Sequence, residues 1–303
     1  MTAASVQGGP RPGGKPEPQA TGPGPRQAGS GRSASSPLAY VVLTAGLVLM
    51  VGPFLWMILG SFKPQSDFLR FPPTFFPSAP TTDAYTRLFD QLDFPRYFLN
   101  SAIIAVAVTV GTLIFCPMLG YALAKLRWHG KRVVMALVLA TLMVPAGITL
   151  IPNFILMSNL GLVNTYPGLI LPFIAGPFGV FLMRQFMLGV PDELLEAARM
   201  DGANEFRVFW SVAMPIATPV LATLAILTFL GSWNSFLYPL VMAQEPGMYT
   251  LPVALATFAT GQYQADHGML MAGSVMLVVP VVIVFILFQR WITEGIATTG
   301  LKG

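Results

Sequence analysis

Long apolar runs alternate with short polar segments from residue 38 to the end of this 303-residue chain. The six runs span roughly 38–62, 98–125, 133–157, 167–188, 213–243 and 268–292. Each is close to the ~20 residues that an α-helix needs to cross the hydrocarbon core of a bilayer. Such spans are helical, because lipid offers no partner to an unpaired backbone group. The pattern predicts an all-α polytopic membrane protein with six transmembrane helices, formed by residues 38–303.

Proline and glycine interrupt several of the predicted spans. The interrupting residues are Pro117, Pro145 with Gly147, Pro172, Pro177 and Pro280. Broken helices line the transport pathway of many carriers, where the freed backbone groups face protein or water. Kinked helices that only pack against their neighbours carry the same residues, so the prolines alone decide nothing.

The first 37 residues are rich in Gly, Pro, Ser, Gln and Arg and hold almost no large apolar side chain. Such a segment cannot bury enough apolar surface to offset its ordering entropy, so we predict a disordered tail. Residues 9–16, GPRPGGKP, match part of the phosphate-binding pattern G-x-x-x-x-G-K-[ST]. Pro16 occupies the position of the Mg²⁺-binding hydroxyl and no strand precedes the stretch, so we expect no nucleotide site here.

The basic residues predict the orientation of the chain in the membrane. Of the 17 Lys and Arg residues, thirteen lie in the tail, between the second and third runs, in the region 184–207 and at the C-terminus. The other four are Lys63, Arg70, Arg87 and Arg96. Basic flanks mark the cytoplasmic side, and an even number of spans puts both termini there. Residues 63–97 are then an extracytoplasmic loop.

This predicted outer loop has two parts. Its first half is rich in proline, which favours an ordered loop with extended pieces. Its second half predicts a short amphipathic helix, since Tyr85, Leu88, Phe89 and Leu92 recur at helical spacing. We expect that apolar face to lie against the bilayer or the neighbouring spans.

Composition argues against several other classes of protein. Only 10% of the residues are charged, whereas soluble domains carry about 25%. The pI near 9.3 is in the range of nucleic-acid-binding proteins, but the basic residues lie in short segments beside apolar runs rather than on one face. The single cysteine, Cys116, excludes an intrachain disulfide and is expected to be a small packing residue. Neither His129 nor His267 has metal-ligand spacing, so we expect no metal site.

A charged insert separates the fourth and fifth runs. Residues 191–219 read PDELLEAARMDGANEFRVFWSVAMPIATP. Pro191 can begin a helix, acidic residues at 192 and 193 favour its first turn, and strong helix formers follow. Gly202 tolerates the left-handed turn that ends a helix, and Asn204 can cap a second one. The stretch 191–210 is therefore expected to be a cytoplasmic loop built on a short helix.

One side of this helix suits a protein contact. Ala197 and Ala198 are small enough to let another protein approach closely. Glu196, Arg199 and Asp201 would flank that contact with directional polar groups. A solvated loop helix without a partner is the alternative, and composition alone favours it.

The insert resembles the EAA motif of permease subunits in bacterial ABC importers. The matching positions are Glu196, Ala197, Ala198, Asp201, Gly202, Ala203, Phe209, Met214, Pro215 and Pro219. The usual ending Ile-x-Leu-Pro is here Val212-x-Met214-Pro215, with similar side-chain sizes. In that family the motif forms a coupling helix that sits in a cleft of the ATP-binding subunit. The resemblance therefore implies an ATPase-coupling role for Glu196, Ala197, Ala198, Arg199, Asp201 and Gly202.

Other segments are similar to the sugar-importer branch of that family, the maltose-type second permease. They lie at 61–63, 72–74, 97–101, 233–237, 251–253, 271–274, 288–291 and 301–303. Most relatives carry an acidic residue directly after Trp233-Asn234. This chain has Ser235 there, so a role for a carboxylate at that position does not carry over.

The middle of the fifth run carries the candidate substrate residues. Sugars bind by stacking on aromatic rings and by hydrogen bonds from amides and hydroxyls, and Trp233, Asn234 and Tyr238 offer these groups. An uncharged polar cluster inside hydrocarbon usually faces protein or water. We predict that the three face a translocation cavity. Hydrogen bonding between helices, with Trp and Tyr near an interface, is the alternative.

The resemblance implies an assembly in the bacterial cytoplasmic membrane. This chain would pair with a homologous permease and with an ABC ATPase dimer, which binds ATP and Mg²⁺, and would receive solute from an extracytoplasmic solute-binding protein. It would itself bind no cofactor and no nucleic acid and would not be an enzyme. A di- or oligosaccharide is the expected solute, and glycerol phosphate or another small polar solute is the alternative.

Two other classes of membrane protein fit the sequence less well. An ion-driven secondary carrier would need ionisable residues inside its spans, and the six predicted spans hold none when the ends of the segments are excluded. A non-transporting scaffold would not need the charged insert.

Overall fold

A computed structural model describes residues 37–145, 147–260 and 266–300, and this part of the chain contains helices but no strand. The α-helices are α1 (Pro37–Ser61), α2 (Gln65–Phe68), α3 (Asp83–Gln91), α4 (Phe94–Lys125), α5 (Lys131–Leu142), α6 (Leu150–Asn159), α7 (Tyr166–Ile170), α8 (Pro177–Leu188), α9 (Asp192–Met200), α10 (Glu205–Val208), α11 (Met214–Ile216), α12 (Thr218–Trp233), α13 (Leu237–Met242), α14 (Leu251–Thr260) and α15 (His267–Gly300). Single 3₁₀ turns lie at Leu171–Phe173 and Pro246–Met248, and a π-helical turn lies at Phe209–Ala213.

The chain divides into two units, residues 1–50 and 51–303. The first unit is described over residues 37–50, which form the beginning of α1. Residues 1–36 of the predicted disordered tail, including the stretch 9–16, lie outside the described residues. Residues 301–303, part of the similarity to sugar importers, lie outside them too.

Within the described residues, four helical stretches are long and apolar enough to cross a membrane. They are Pro37–Ser61, Phe94–Lys125, Tyr166–Leu188 and His267–Phe288. The pair Glu205–Ile216 and Thr218–Trp233, bent by 80°, makes a fifth if it counts as one span. The all-helical, polytopic class is thereby confirmed, whereas six spans remain a prediction.

The predicted third and fifth spans are not continuous helices. In the third, α5 ends at Leu142 and α6 begins at Leu150. Pro145 lies in this break, and a proline disfavours helix at the residue before it and donates no hydrogen bond. In the fifth, the helix ends at Trp233 and resumes at Leu237. Apolar residues continue through most of the first break, so hydropathy does not register it, whereas the second break falls at the polar pair Asn234-Ser235.

The other prolines named from the sequence differ in their effect. Pro117 and Pro280 lie inside the continuous helices α4 and α15, so neither interrupts its span. Pro177 begins α8, where a missing N–H costs nothing because that donor has no partner in the helix. Pro172 lies in the 3₁₀ turn between α7 and α8.

The centre of the second unit is the packing of α4 against α8 and α12, with α15 against α12. The crossing of α4 and α8 requires small residues. A Cβ atom added at Gly120 would lie 2.7 Å from Cβ of Met183, and one added at Gly179 would lie 2.8 Å from Sγ of Cys116. Close helix approach through glycine is typical of membrane helices. Cys116 is fully buried at this crossing, as expected of a packing residue.

The amphipathic helix predicted in segment 63–97 is α3. Leu88 is fully buried, and Tyr85 and Leu92 pack at the edge of the same apolar cluster, whereas Phe89 is half exposed. An ion pair of 2.8 Å between Nε of Arg87 and Oδ2 of Asp266 ties α3 to the beginning of α15.

The proline-rich half of this segment is ordered by a buried carboxylate. Asp67 accepts hydrogen bonds of 2.8 Å from both the backbone N and the Oγ atom of Ser78. These two bonds, and then the charge of Arg70, lower the pKa of Asp67 against the opposing effect of burial. The carboxylate therefore closes the loop between residues 67 and 78 in its charged form.

Candidate functional site

The charged insert folds as its sequence predicts. Pro191 precedes the helix α9, whose first turn holds Asp192 and Glu193. The chain leaves the helix through Gly202, which has a left-handed φ of 82°. Asn204 caps the next helix, its side chain accepting a 2.9 Å hydrogen bond from the backbone N of Arg207. Each of these features follows from a local signal in the sequence.

One face of α9 is anchored in the protein and the other is free. Leu195 is 1% exposed and belongs to an apolar cluster that includes Tyr121, Val208 and Phe209. The neighbouring Leu194 is 48% exposed. Adjacent side chains of an α-helix differ in direction by about 100°, so the edge of the buried face runs between these two leucines and the helix is held from one side only.

Polar contacts tie both ends of α9 to α4. At the beginning of α9, Nζ of Lys125 donates hydrogen bonds of 2.6 Å to Oδ1 of Asp192 and to the carbonyl oxygen of Val190. At the end, Nε of Arg199 lies 2.7 Å from Oε1 of Glu205, and Oε2 of Glu205 accepts a 3.0 Å hydrogen bond from the hydroxyl of Tyr121. A displacement of α9 must therefore also strain α4.

The ion pair at the beginning of α9 is charged at neutral pH. The hydrogen bond from Lys125, followed by its positive charge, holds the pKa of Asp192 below its ordinary value. Because Asp192 is largely exposed, its carboxylate stays solvated as well as paired.

The structure separates the six predicted coupling residues into two groups. The first group is exposed and has no side-chain partner in the described chain; its members are Glu196, Ala197, Asp201 and Gly202. Ala198 packs at the edge of the buried cluster, and Arg199 is engaged with Glu205. The first group is free to meet another protein, whereas the second holds the helix in place. A coupling role for either group remains a prediction.

A cavity of about 290 Å³ lies between α4, α8 and α12. Its lining is mostly apolar, and it includes hydroxyl groups from three elements. These hydroxyls belong to Thr112, Thr228, Ser232, Ser235 and Tyr238. A second cavity of about 340 Å³ shares Phe173, Ser235 and Tyr238 with the first and adds Asn153. The two flank the break between α12 and α13.

The three predicted substrate residues occupy different environments. Tyr238 lines both cavities; it is buried, and its hydroxyl donates a 2.8 Å hydrogen bond to the carbonyl oxygen of Gly168. Asn234 is exposed, donates to the carbonyl oxygen of Leu230 in its own helix, and lines neither cavity.

Trp233 lies between helices rather than at a cavity. It is 2% exposed, its Nε1 atom donates a 3.0 Å hydrogen bond to the carbonyl oxygen of Leu277, and its ring stacks on Phe229. This environment agrees with the alternative interpretation of the sequence, in which Trp233 forms a hydrogen bond between helices. Tyr238 is thus the predicted residue that reaches both cavities.

Sequence reasoning overlooked the hydroxyls of α12 that line the first cavity. Thr228 and Ser232 are four residues apart and so share one face of the helix, and Ser235 follows at the break. This small polar stripe in an apolar run was a usable signal, but the more conspicuous tryptophan and asparagine beside it point elsewhere.

The chemistry of the two cavities is neutral. No charged side chain is among the residues that line them, and the described part of the chain holds no group of three His, Cys, Asp or Glu residues that could bind a metal ion. Hydroxyl, amide and aromatic groups of this kind bind uncharged polyols by hydrogen bonding and ring contact.

Known proteins with similar sequences and structures are transport components. Residues 117–297 match the family described as binding-protein-dependent transport system inner membrane component. The chain is 42% identical over 276 residues to the arabinooligosaccharides transport system permease protein AraQ of Halalkalibacterium halodurans, covering 89% of this chain and 99% of that protein. It is 34% identical over 275 residues to the diacetylchitobiose uptake system permease protein NgcG of Streptomyces coelicolor, covering 90% and 91%. A solved bacterial ABC transporter involved in the import of the acidic polysaccharide alginate has a chain that matches with a TM-score of 0.74 and 28% identity, covering 84% of this chain and 94% of that one.

Proposed function

The chain belongs to the family of binding-protein-dependent transport system inner membrane components, and from that membership we propose that it forms half of the translocation pathway of an ATP-driven sugar importer. It is a carbohydrate ABC permease, a transport subunit of the inner membrane. The observation that carries this conclusion is the 42% identity to a permease named for arabinooligosaccharides, over 99% of that protein.

The solute is a neutral di- or oligosaccharide. Support comes from the two cavities at the break between α12 and α13, which offer hydroxyls, the amide of Asn153 and the ring of Tyr238 but no charge. An anionic solute such as glycerol phosphate would require a cation in the pathway, and this cation would have to come from the partner permease.

The helix α9 is the coupling helix, and it docks on a separate ABC ATPase. Its exposed residues Leu194, Glu196 and Ala197 form the contact, while Leu195 and the ion pairs hold the opposite side. ATP and Mg²⁺ bind to the ATPase dimer, and this chain binds no cofactor.

Closure of the ATPase dimer moves the pathway through α4. In α4, Lys125 lies at the contact with α9, and Thr112 lies 13 residues earlier, in the first cavity. This separation corresponds to about 20 Å of helix. A helix of this length transmits displacement with little bending, so the two permeases rock between inward-open and outward-open states. Hydrolysis of ATP resets them.

The other partners follow from this arrangement. A homologous permease supplies the second half of the pathway, and both termini of this chain are cytoplasmic. The segment 63–97 faces outward, where an extracytoplasmic solute-binding protein delivers the sugar.

Reconstitution tests the solute. The chain, purified with the products of its neighbouring genes and placed in lipid vesicles with the binding protein, should show ATPase activity that neutral oligosaccharides stimulate. Glycerol phosphate serves as the anionic comparison and should have no effect. Stimulation by the anionic solute alone would make the assignment to sugars wrong.

Crosslinking tests the coupling helix in the same preparation. A photoreactive group at Leu194, on the free face of α9, should reach the ATPase. The same group at Asp90, exposed on α3, should not. Failure of the Leu194 crosslink to reach any nucleotide-hydrolysing chain would contradict the coupling role and leave the solute assignment standing.

A further inference from the structure

A basic pocket beside α5 and α8 is separate from the cavities of the pathway. It has a volume of about 410 Å³. Its lining is Lys131, Arg132, Met135, Ala136, Leu139 and Arg184. Three of these six side chains are cations, and none is an acid.

The cations of this pocket lack an anionic partner within the described chain. Neither Arg132 nor Arg184 takes part in an ion pair there. The Nε atom of Arg184 is buried and has no hydrogen-bond acceptor. Lys131 donates to two carbonyl oxygens, at 3.1 Å and 3.2 Å, but to no carboxylate. A buried guanidinium nitrogen without an acceptor is costly, so a ligand that supplies oxygen atoms would be stabilised here.

Nearby charge increases the need for an anion. Burial, and then the charges of Arg184 and Lys125, lower the pKa of Lys131, so these cations repel one another. Lys125 has a carboxylate of its own in Asp192. Lys131 and Arg132 also occupy the first turn of α5, which contains no acidic residue, and the positive end of a helix dipole disfavours cations.

Apolar residues continue the pocket along α5. From Arg132, the helix presents Met135 and Ala136 one turn later and Leu139 after a second turn. The surface thus changes from three cations to an apolar stripe over about 10 Å of helix. A free phosphate ion would use only the first part, whereas a phospholipid would use both.

We propose that this pocket binds the headgroup phosphate of an anionic phospholipid, whose acyl chain lies along Met135, Ala136 and Leu139. Basic pockets between membrane helices on the cytoplasmic side bind such lipids in other proteins. The cations near Lys125 place the pocket on the same side as α9, which is the cytoplasmic side in the proposed orientation. The site depends on neither the solute nor the docking of an ATPase.

Native mass spectrometry of the intact transporter tests the site. The complex in mild detergent is titrated with phosphatidylglycerol and, separately, with phosphatidylethanolamine, and bound lipids are counted. The variants are Arg184→Gln and Arg132→Gln; the second side chain is exposed, so its loss does not endanger folding. The control is Arg127→Gln, which removes the same charge from an exposed position four residues before Lys131 and outside the pocket.

The wild type should prefer phosphatidylglycerol, and each pocket variant should reduce that preference about fivefold, corresponding to about 1 kcal/mol for one cation. Arg127→Gln should retain it. An excess of inorganic phosphate should displace little lipid. Equal binding of the two lipids, or an equal loss in the control, would overturn the proposal. Complete displacement by inorganic phosphate would instead identify a site for a free anion and would equally overturn the assignment to lipid.

Discussion

Nζ of Lys125 lies 2.6 Å from Oδ1 of Asp192, so the last turn of α4 holds the first turn of α9. The lysine side chain is 7% exposed and the aspartate 70% exposed. The buried partner therefore belongs to the long helix that reaches the first cavity, and the solvated partner belongs to the helix proposed to meet the ATPase.

Asp192→Asn should weaken this connection between coupling helix and pathway. The substitution removes the negative charge but keeps the size of the side chain, and it leaves the buried ammonium of Lys125 with the carbonyl of Val190. We expect ATP hydrolysis to continue while solute uptake per ATP falls severalfold. Both rates are measured in vesicles, with Glu193→Gln, exposed in the same turn, as the matched control. Uptake reduced equally by both substitutions would assign the effect to surface charge.

The same ion pair should be insensitive to pH over the physiological range. The pKa of Asp192 is lowered from its ordinary value of 3.8, so the stability that the pair contributes is fully present above that value. It is lost only as pH falls through the lowered folded pKa. Hydrogen exchange at the backbone of α9 should therefore show constant protection between about pH 5 and 8, after correction for the intrinsic exchange rate. A loss of protection near pH 6 would contradict this assignment.

Gly202→Ala should uncouple ATP hydrolysis from uptake. The added Cβ has open space, but the left-handed backbone costs about 1–2 kcal/mol in any L-residue with a Cβ, so the end of α9 should shift. Gly161→Ala is the matched control, because Gly161 also has a positive φ, of 68°, and open space around it. It lies between α6 and α7, far along the chain from α9. Both variants should lose similar thermal stability, while the ratio of uptake to hydrolysis should fall in Gly202→Ala alone.

The two adjacent leucines of α9 allow stability and docking to be measured separately. Leu195→Ala removes a fully buried side chain and should destabilise the fold by about 2–5 kcal/mol, seen as a lower unfolding temperature. Leu194→Ala should leave the unfolding temperature unchanged, because its side chain is half exposed. It should instead weaken binding of the ATPase, as measured by co-purification at increasing dilution. Equal affinity in the wild type and Leu194→Ala would remove this residue from the contact.

Local sequence signals were sufficient to predict the helix α9 but not the contacts that hold it in place. Pro191, Gly202 and Asn204 act through the backbone of their own turn, so helix, left-handed turn and cap could be predicted from a single sequence. The contacts of Tyr121 with Glu205 and of Lys125 with Asp192 join residues 84 and 67 positions apart. Nothing in their own neighbourhoods identifies these partners.

The direction of a side chain on an apolar helix was harder to predict than the helix itself. Most residues of α12 are apolar, and its few hydroxyl residues give only a weak polar face, so hydropathy does not show which way Trp233 points. Packing against α15 decides that Trp233 faces Leu277, while the opposite hydroxyls face the cavity. The sequence identified the polar stretch 231–238 but not which of its residues line the pathway.

Asn234→Leu tests whether the break between α12 and α13 takes part in transport. The side chain is exposed and caps its own helix by donating to Leu230. We expect uptake of the transported sugar to fall while assembly with the partner chains is unchanged. Asn159→Leu provides the comparison, because Asn159 is also exposed at the end of a helix and lines neither cavity, but it lies at the end of α6 and not at this break. Unchanged uptake in Asn234→Leu would exclude this residue from the pathway.

Gly231→Leu should close the first cavity without disturbing the fold. Gly231 lines that cavity, and a Cβ added there meets no atom within 4 Å. The first atom of a leucine side chain therefore fits without displacing a neighbour, and the rest of the side chain would take up part of the adjacent volume of about 290 Å³. We expect most sugar uptake to be lost, with an unchanged unfolding temperature and unchanged basal ATP hydrolysis. Gly52→Leu, which also places its Cβ in open space but on α1, should transport normally. If Gly231→Leu transports as well as Gly52→Leu, the sugar passes through another part of the protein, and the hydroxyls of α12 serve only to pack the helix.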